Sequence, residues 1–299
     1  MQGKVVVITG ATSGLGRLAA IRLAEMGARL VAIARHSGRA EQVLAELRRA
    51  GPGVAHTVHL ADLSLMREVK RVGAEIAAAE PRIDVLINNA GSIFGSRRVT
   101  SEGLELTFAT NHMAYFVLTH MLLDRLKASA PARIVNTASG AHYGRQLDFD
   151  DLQATGGYRA QDVYGRSKLC NILFTRELAR RLDGTGVTAN CFHPGFVATN
   201  FGQRNAGLFG VAVRIAMLFA GKPEPDTFLE AARRLGASPP RTVVFEDALA
   251  GVQAGAAGGF GLVVGVDRTG AAEQLAAQGA TIVVSDLTEL VPGPIPSSA

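Results

Sequence analysis

Short apolar runs alternate with longer segments of helical period along most of the chain. Lys4 to Ile8, Leu30 to Ala34, Val54 to Leu60, Ile83 to Ile87, Arg133 to Thr137 and Val187 to Phe192 read as strands. Between them the spacing predicts a helix carrying Leu18, Ala19, Ile21, Leu23 and Ala24, and another over Ala40 to Ala50. It also predicts one near Phe108 to Leu126 and one opening at Tyr164. The apolar-periodic run of the last continues through Asn171, Leu173, Phe174, Leu178 and Leu182. Strands followed by helices in this way predict an α/β fold.

With 299 residues the chain has room for one large α/β domain or two smaller ones. Its net charge is +5, but basic residues such as Arg176, Arg180 and Arg181 are dispersed along helices. Dispersed charge describes a solvated face, so nucleic acid is not expected, while anionic ligands such as phosphates are favoured. Cys170 and Cys191 are the only cysteines and form no CxxC pair, which argues against zinc or disulfides. His56 and His59 share a strand without a third ligand, so they read as packing or surface residues and no metal site is expected. Met1-Gln2-Gly3-Lys4 leads directly into the first strand, leaving no room for a signal peptide. The most apolar segment, Leu208 to Ala220, is too short to span a bilayer and carries Arg214, so no transmembrane segment is expected. It reads as a lid or core helix, and the protein as cytoplasmic.

The candidate chemistry lies at strand ends. The first strand runs into Thr9-Gly10-Ala11-Thr12-Ser13-Gly14-Leu15-Gly16 and then a helix. Glycines there allow a tight turn and let a pyrophosphate approach the backbone and the helix N-terminus. The second strand is followed by Arg35, where an acidic residue would hold a ribose hydroxyl; an arginine suits the 2′-phosphate of NADP instead. Asp62, closing the third strand, suits an acceptor for the adenine amino group, an N-cap for the next helix, or both. Asn88-Asn89-Ala90-Gly91 and Ser139 follow the fourth and fifth strands, and Asn111 interrupts an apolar stretch. Tyr164 and Lys168 are four apart on one helix and share a face. A nearby ammonium would lower the phenol from its usual value near 10 toward the working range.

Taken in order, TGATSGLG (9–16), the aspartate of ADLS (62), NNAG (88–91), Asn111, Ser139, YGRSK (164–168) and HPGFVAT (193–199) resemble the short-chain dehydrogenases/reductases over about Met1 to Ala220. The long Ser139–Tyr164 interval with LDFDDL (147–152), and KLCNILFTREL after the tyrosine, look most like the retinol-dehydrogenase-like branch. The resemblance implies a doubly wound parallel Rossmann-type sheet and NADP(H), held by Gly10, Ser13, Gly14, Leu15, Gly16, Arg35, Asp62, Leu63, Asn88, Ala90, Gly91, Tyr164, Lys168, Pro194, Val197 and Thr199. It implies catalytic roles for four residues. Tyr164 exchanges a proton with the substrate oxygen, Lys168 acidifies it and holds the ribose, Ser139 steadies the oxyanion, and Asn111 holds a relay water. Val197 and Thr199 would meet the carboxamide. The expected substrate is a small apolar aldehyde, ketone or alcohol, since Phe201 to Ala220, rich in Leu, Phe, Val and Ala, would line the pocket. A homodimer through helices equivalent to 107–127 and 164–182 is the assembly such relatives often adopt. The alternative is a catalytically silent fusion that binds only nucleotide or a partner.

From Gly221 the pattern changes. Gly221-Lys222-Pro223-Glu224-Pro225-Asp226, a helix over Thr227 to Leu235, Thr242-Val243-Val244-Phe245-Glu246-Asp247, Leu262 to Val266 and Thr281 to Val284 resemble the C-terminal half of haloacid-dehalogenase-type phosphatases of the β-phosphoglucomutase kind, over about 221–290. Lys222, Glu246 and Asp247 would match a phosphate-neutralising lysine and magnesium-binding acids. Their nucleophile is missing: Asp148-Phe149-Asp150, the one DxD, follows no buried strand. Phosphatase activity is therefore not expected. Thr242 to Phe245, lacking the nucleophile strand as a neighbour, is expected to pair with Val187 to Phe192, the later strands extending the same sheet. The tail from Pro292 to Ala299 is expected to be disordered.

Overall fold

The computed structural model describes residues 1–194, 225, 228–229, 232–233, 236–268 and 270–290. In chain order its first part contains β1 (Val5–Thr9), α1 (Gly14–Glu25), β2 (Arg29–Ala34), α2 (Ser37–Ala50), β3 (Thr57–Leu60), α3 (Met66–Ala79) and β4 (Val85–Asn88). A short α4 (Leu106–Phe108), a π-helical turn over Ala109–Met113, α5 (Ala114–Ala128), β5 (Ala132–Thr137), α6 (Ala160–Arg181) and β6 (Val187–Phe192) follow. The strands form one six-stranded sheet in the order β3-β2-β1-β4-β5-β6, and every pairing is parallel.

A parallel sheet is covered on both faces by its crossovers, which is why these strands are continuously apolar rather than alternating. On one face Val7, Val31, Leu86 and Ile134 pack with Val69, Val72, Leu118 and Leu122 of α3 and α5. On the other, Val6, Ile8, Leu30 and Ala32 pack with Ala20, Ala24, Val43 and Leu47 of α1 and α2. His56 is buried between elements, its Nδ1 accepting from the Leu30 amide at 3.1 Å, and His59 lies 3.6 Å from Glu75, so both take the packing and surface roles expected. The strand order reverses between β1 and β4, and a crevice at their carboxyl ends is the usual ligand position of such sheets.

The opposite end of the sheet is fastened by Asp84. Its carboxylate accepts from the Val5 amide and the Lys4 ammonium at 2.9 Å each, and from the Arg82 guanidinium at 2.8 Å. Burial alone would raise this carboxyl, but these donors outweigh it and hold it at about 2. The stabilisation is therefore present above the unfolded carboxylate value near 3.9 and lost as pH falls toward 2. Asp84→Asn should cost about 2 kcal/mol in urea denaturation at neutral pH, and the gap between variant and parent should close in strong acid. Equal stabilities at neutral pH would refute this role.

The C-terminal strands correct the expected topology. β7 (Val243–Glu246), β8 (Leu262–Val266) and β9 (Ile282–Val284), joined by α7 (Leu249–Ala257) and α8 (Ala272–Ala277), form their own parallel sheet in the order β7-β8-β9. Among the described residues β6 pairs only with β5, and β7 only with β8, so Thr242 to Phe245 does not continue the first sheet. The physical reason is that β7 finds its ladder in β8 and its core in Val252, Val263 and Leu275 around Val244. Val243 and Phe245, on its other face, remain 44% and 52% exposed. Two compact units result, Met1–Leu218 and Phe219–Ala299. Val197, Thr199, the Leu208 to Ala220 segment, Lys222, most of the helix expected over Thr227 to Leu235, and the tail lie outside the described residues.

Candidate active site

At the switch point, β1 and β4 are tied together beyond their ladder. Thr9 Oγ1 accepts from the amides of Asn89 and Ala90 at 2.9 and 3.0 Å, and Asn89 Nδ2 donates to the Thr9 carbonyl at 3.2 Å. This leaves no space inside the glycine turn. A Cβ on Gly16 would stand 2.3 Å from both the Gly10 carbonyl oxygen and Asn89 Nδ2, while Gly10 itself has φ +73°. Ser13 occupies the N-cap of α1 in extended conformation without a side-chain capping bond, and the first turn holds no acidic residue. The N-terminus thus presents amides and a positive dipole end to the crevice, a cradle that fits a phosphate.

The remaining nucleotide positions are distributed along the same edge. Arg35 lies exposed just past β2, its Nε donating to His36 Nε2 at 3.2 Å. Asp62 does not cap α3: that position belongs to Leu65, and Asp62 Oδ1 accepts from the Ser64 amide and hydroxyl at 2.9 and 2.8 Å. It closes an Asx turn ahead of the helix instead, with the buried Leu63 between. Asn88 is turned inward, its side-chain amide donating to Thr119 Oγ1 at 3.0 Å and Asn136 Oδ1 at 2.9 Å. Pro194 is half-buried just beyond β6.

The proton-transfer candidates converge on α6. Tyr164 and Lys168 share its inner face, and Lys168 Nζ donates to the Thr137 carbonyl at 2.9 Å at the end of β5. The same ammonium lies 5.7 Å from the Tyr164 ring centre and 5.6 Å from that of Tyr115. Ser139 caps a single 3-10 turn, Gly140–His142, accepting from the Ala141 amide at 3.2 Å, and its side chain acts on the Tyr164 phenol, opposing the rise in its pKa. That turn seats against α6 because residue 165 is glycine: a Cβ there would meet the Ala141 carbonyl oxygen at 2.3 Å. Asn111, in the π turn, accepts from the Ser92 amide at 2.8 Å and donates to the Ser92 carbonyl at 2.9 Å and Ser167 Oγ at 3.1 Å. Gly91 passes above it, its Cβ position 3.2 Å from Asn111 Oδ1 and 3.5 Å from Lys168 Nζ. Asn111, Ser139, Tyr164 and Lys168 are thereby one group beneath the Ala90–Ser92 loop.

Electrostatically the group differs from the expectation. Burial pushes Tyr164 above its ordinary value, with the Ser139 hydrogen bond pulling the other way, and pushes Lys168 down to about 7. Loss of hydration outweighs mutual charge stabilisation in so closed a site, so the protein alone favours a neutral phenol. Tyr115 is fully buried beside them and is also raised by burial. Both amide hydrogens of Asn111 are spent on Ser92 and Ser167, so its side chain clamps the Ala90–Ser92 loop. Sequence reasoning missed the partners Thr137, Ser92, Ser167, His112 and Asn171. The available signal was Asn171, an amide on the buried face of α6 three residues past Lys168.

The phosphatase-like acids are engaged locally. Glu246 accepts from the Ala248 amide at 3.1 Å, and Asp247 lies 3.3 Å from Arg268. Asp148 accepts from the amides of Asp150 and Asp151 at 3.0 and 3.2 Å on an exposed loop, so the DxD closes a turn and ends no strand. Among the described residues no three His, Cys, Asp or Glu side chains converge as metal ligands, and no helix is long and apolar enough to cross a membrane.

Comparison with known proteins agrees with this geometry. The chain matches the short chain dehydrogenase family model over residues 4–206 and a haloacid dehalogenase-like hydrolase model over 193–259. Retinol dehydrogenase 14 of Homo sapiens is 46% identical over 216 residues, 68% of this chain and 64% of that protein. The chain thus spans less than two thirds of that relative. Retinol dehydrogenase 13 of Homo sapiens is 40% identical over 78% of this chain and 73% of its own length. A short-chain dehydrogenase from Sphingobium yanoikuyae, solved in complex with NADPH, superposes with a TM-score of 0.56 at 28% identity, covering 66% of this chain and 73% of that one. With the family model spanning most of the chain, the parallel sheet in its expected order and the candidate residues gathered at its switch point, the chain belongs to the short chain dehydrogenase family.

Proposed function

We propose that the protein is an NADP(H)-dependent oxidoreductase that interconverts a carbonyl and an alcohol on an apolar small molecule. One observation carries this reading: a buried phenol has Lys168 one helical turn away on the same face, its ammonium 5.7 Å from the phenol ring centre. In reduction Tyr164 gives its proton to the carbonyl oxygen, and Ser139 hydrogen-bonds that oxygen as charge develops on it. Lys168 would hold the nicotinamide ribose and, while charged, ease proton loss from Tyr164. Asn111 fixes the Ala90–Ser92 loop, against which the nicotinamide would lie. The cofactor supplies the hydride; the protein supplies position and protons.

NADP(H) would lie along Gly10, Ser13, Gly14, Leu15 and Gly16, with Arg35 on the 2′-phosphate, Asp62 and Leu63 near the adenine, and Asn88, Ala90, Gly91, Pro194, Val197 and Thr199 toward the nicotinamide. The NADPH-bound relative and the absence of a carboxylate at position 35 support this choice. Relatives named retinol dehydrogenases support an elongated apolar aldehyde, ketone or alcohol as substrate. We read residues 221–290 as a haloacid-dehalogenase-like fragment without its nucleophile, the protein as cytoplasmic, and a homodimer through α5 and α6 as the assembly. Fluorescence titration with NADPH, then turnover of a panel of hydrophobic aldehydes and ketones, tests the reading. NADPH binding without any turnover would favour the silent fusion.

A direction follows from the phenol. Because burial holds Tyr164 protonated, reduction should be faster than oxidation at about pH 7. Oxidation needs the phenolate, so its share should grow as pH rises. Initial rates measured both ways at about pH 7 and pH 9.5 check this, and an oxidation rate independent of pH would contradict it.

A further inference from the structure

The π turn at Asn111 poses a hydrogen-bonding question that α6 answers. A widened turn shifts main-chain carbonyls away from their usual helical donors, and a buried carbonyl without a donor is costly. Asn171 Nδ2 donates to the Asn111 carbonyl at 2.8 Å, and Asn171 is fully buried. Its other end is equally constrained: Asn171 Oδ1 lies 3.0 Å from His112 Nδ1. An amide oxygen only accepts, so His112 Nδ1 carries the hydrogen and the carboxamide can adopt one orientation. His112, the next residue of the π turn, is packed among Phe108, Phe116 and Phe174. Asn171 thus grips the π turn at two successive residues, main chain and side chain. The Asn111 side chain then holds both polar main-chain atoms of Ser92, directly below Gly91.

We propose that Asn171, held in register by His112, is a positioning residue that sets where Asn111 clamps the Ala90–Ser92 loop over Lys168. It touches neither substrate nor cofactor and acts through Asn111. The network continues behind it. The Asn171 carbonyl accepts from Thr175 Oγ1 at 2.6 Å, Thr175 Oγ1 accepts from Asn136 at 2.9 Å, and Asn136 Oδ1 accepts from Asn88 at the end of β4. The carboxyl ends of β4 and β5 and the π turn are therefore joined by one buried chain of side-chain amides and hydroxyls. In such a buried chain the position of each member depends on its neighbours, so removing one is felt locally.

This inference rests on the oxidoreductase reading, and its test separates the two. Asn171→Asp keeps the acceptor for His112 but offers no hydrogen to the Asn111 carbonyl; Asn171→Leu removes both bonds. With folding confirmed by circular dichroism, each should lower kcat at least about tenfold while KM for NADPH stays within about twofold. His112→Phe should give a smaller loss of the same kind. Asn111→Ala combined with Asn171→Leu should be no slower than Asn111→Ala alone, since both act through one clamp. Additive losses, or full activity in folded Asn171→Asp, would overturn the proposal while leaving the oxidoreductase reading intact. A crystal structure of Asn171→Leu decides the matter without turnover: Asn111 displaced from Ser92 supports the inference, and an unchanged Asn111–Ser92 pair refutes it.

Discussion

Tyr164→Phe should lower kcat for carbonyl reduction by about 10²–10⁴-fold while NADPH still binds. The substitution removes one oxygen from a buried ring and leaves the ring's packing against Lys168 in place. The lost hydroxyl is the one whose pKa Ser139 pulls down, and in the proposed mechanism it is the proton donor to the substrate oxygen. Tyr115 cannot take over readily, because burial holds its hydroxyl even more firmly protonated. Single-turnover reduction with NADPH in excess isolates the chemical step from product release. A variant retaining more than about a tenth of the parent rate would mean that the proton comes from elsewhere.

Gly16→Ala should weaken NADPH binding by about a hundredfold or more, because the cradle depends on contact that no side chain permits. The added methyl would stand 2.3 Å from the Gly10 carbonyl oxygen and 2.3 Å from Asn89 Nδ2. The first is backbone of the turn itself, and the second is fixed by its bond to the Thr9 carbonyl. Relief requires the α1 N-terminus to withdraw from the turn, which separates the phosphate-facing amides from one another. Gly157, whose Cβ position meets nothing within 4 Å, provides the control, and Gly157→Ala should bind NADPH as the parent does. Fluorescence titration reads both, and equal affinities for Gly16→Ala and parent would contradict the assignment of the cradle.

How much of this was legible in the sequence depends on how local the cause is. The Tyr164–Lys168 pairing follows from helical period alone, and the continuous apolar strands follow from burial on two faces. Gly10, Arg35 and Ser139 follow strands of a parallel sheet, where such sheets usually bind ligands, and that placement could be read from the order of elements. The direction of the Tyr164 shift could not, since it depends on how completely the site excludes water. Of the roles open to Asp62, the cap of α3 falls away because capping is decided by the backbone at Leu65, three residues later. Asn171 was read as one of several positions on an apolar face; its value lies in contact with a π turn 60 residues earlier, which no periodicity announces. The expected extension of the sheet failed for a related reason. An unpaired edge says that a strand can pair, but which strand it meets is fixed by tertiary contacts, and β7 meets β8.

The central claim, that a nicotinamide hydride and a tyrosine proton reduce a carbonyl here, is tested most directly by following NADPH and substrate together. The purified 299-residue protein should consume NADPH in equal amount to a long-chain apolar aldehyde and form the corresponding alcohol. Folded protein that binds no NADPH, or that leaves every member of an aldehyde and ketone panel unchanged, would contradict it.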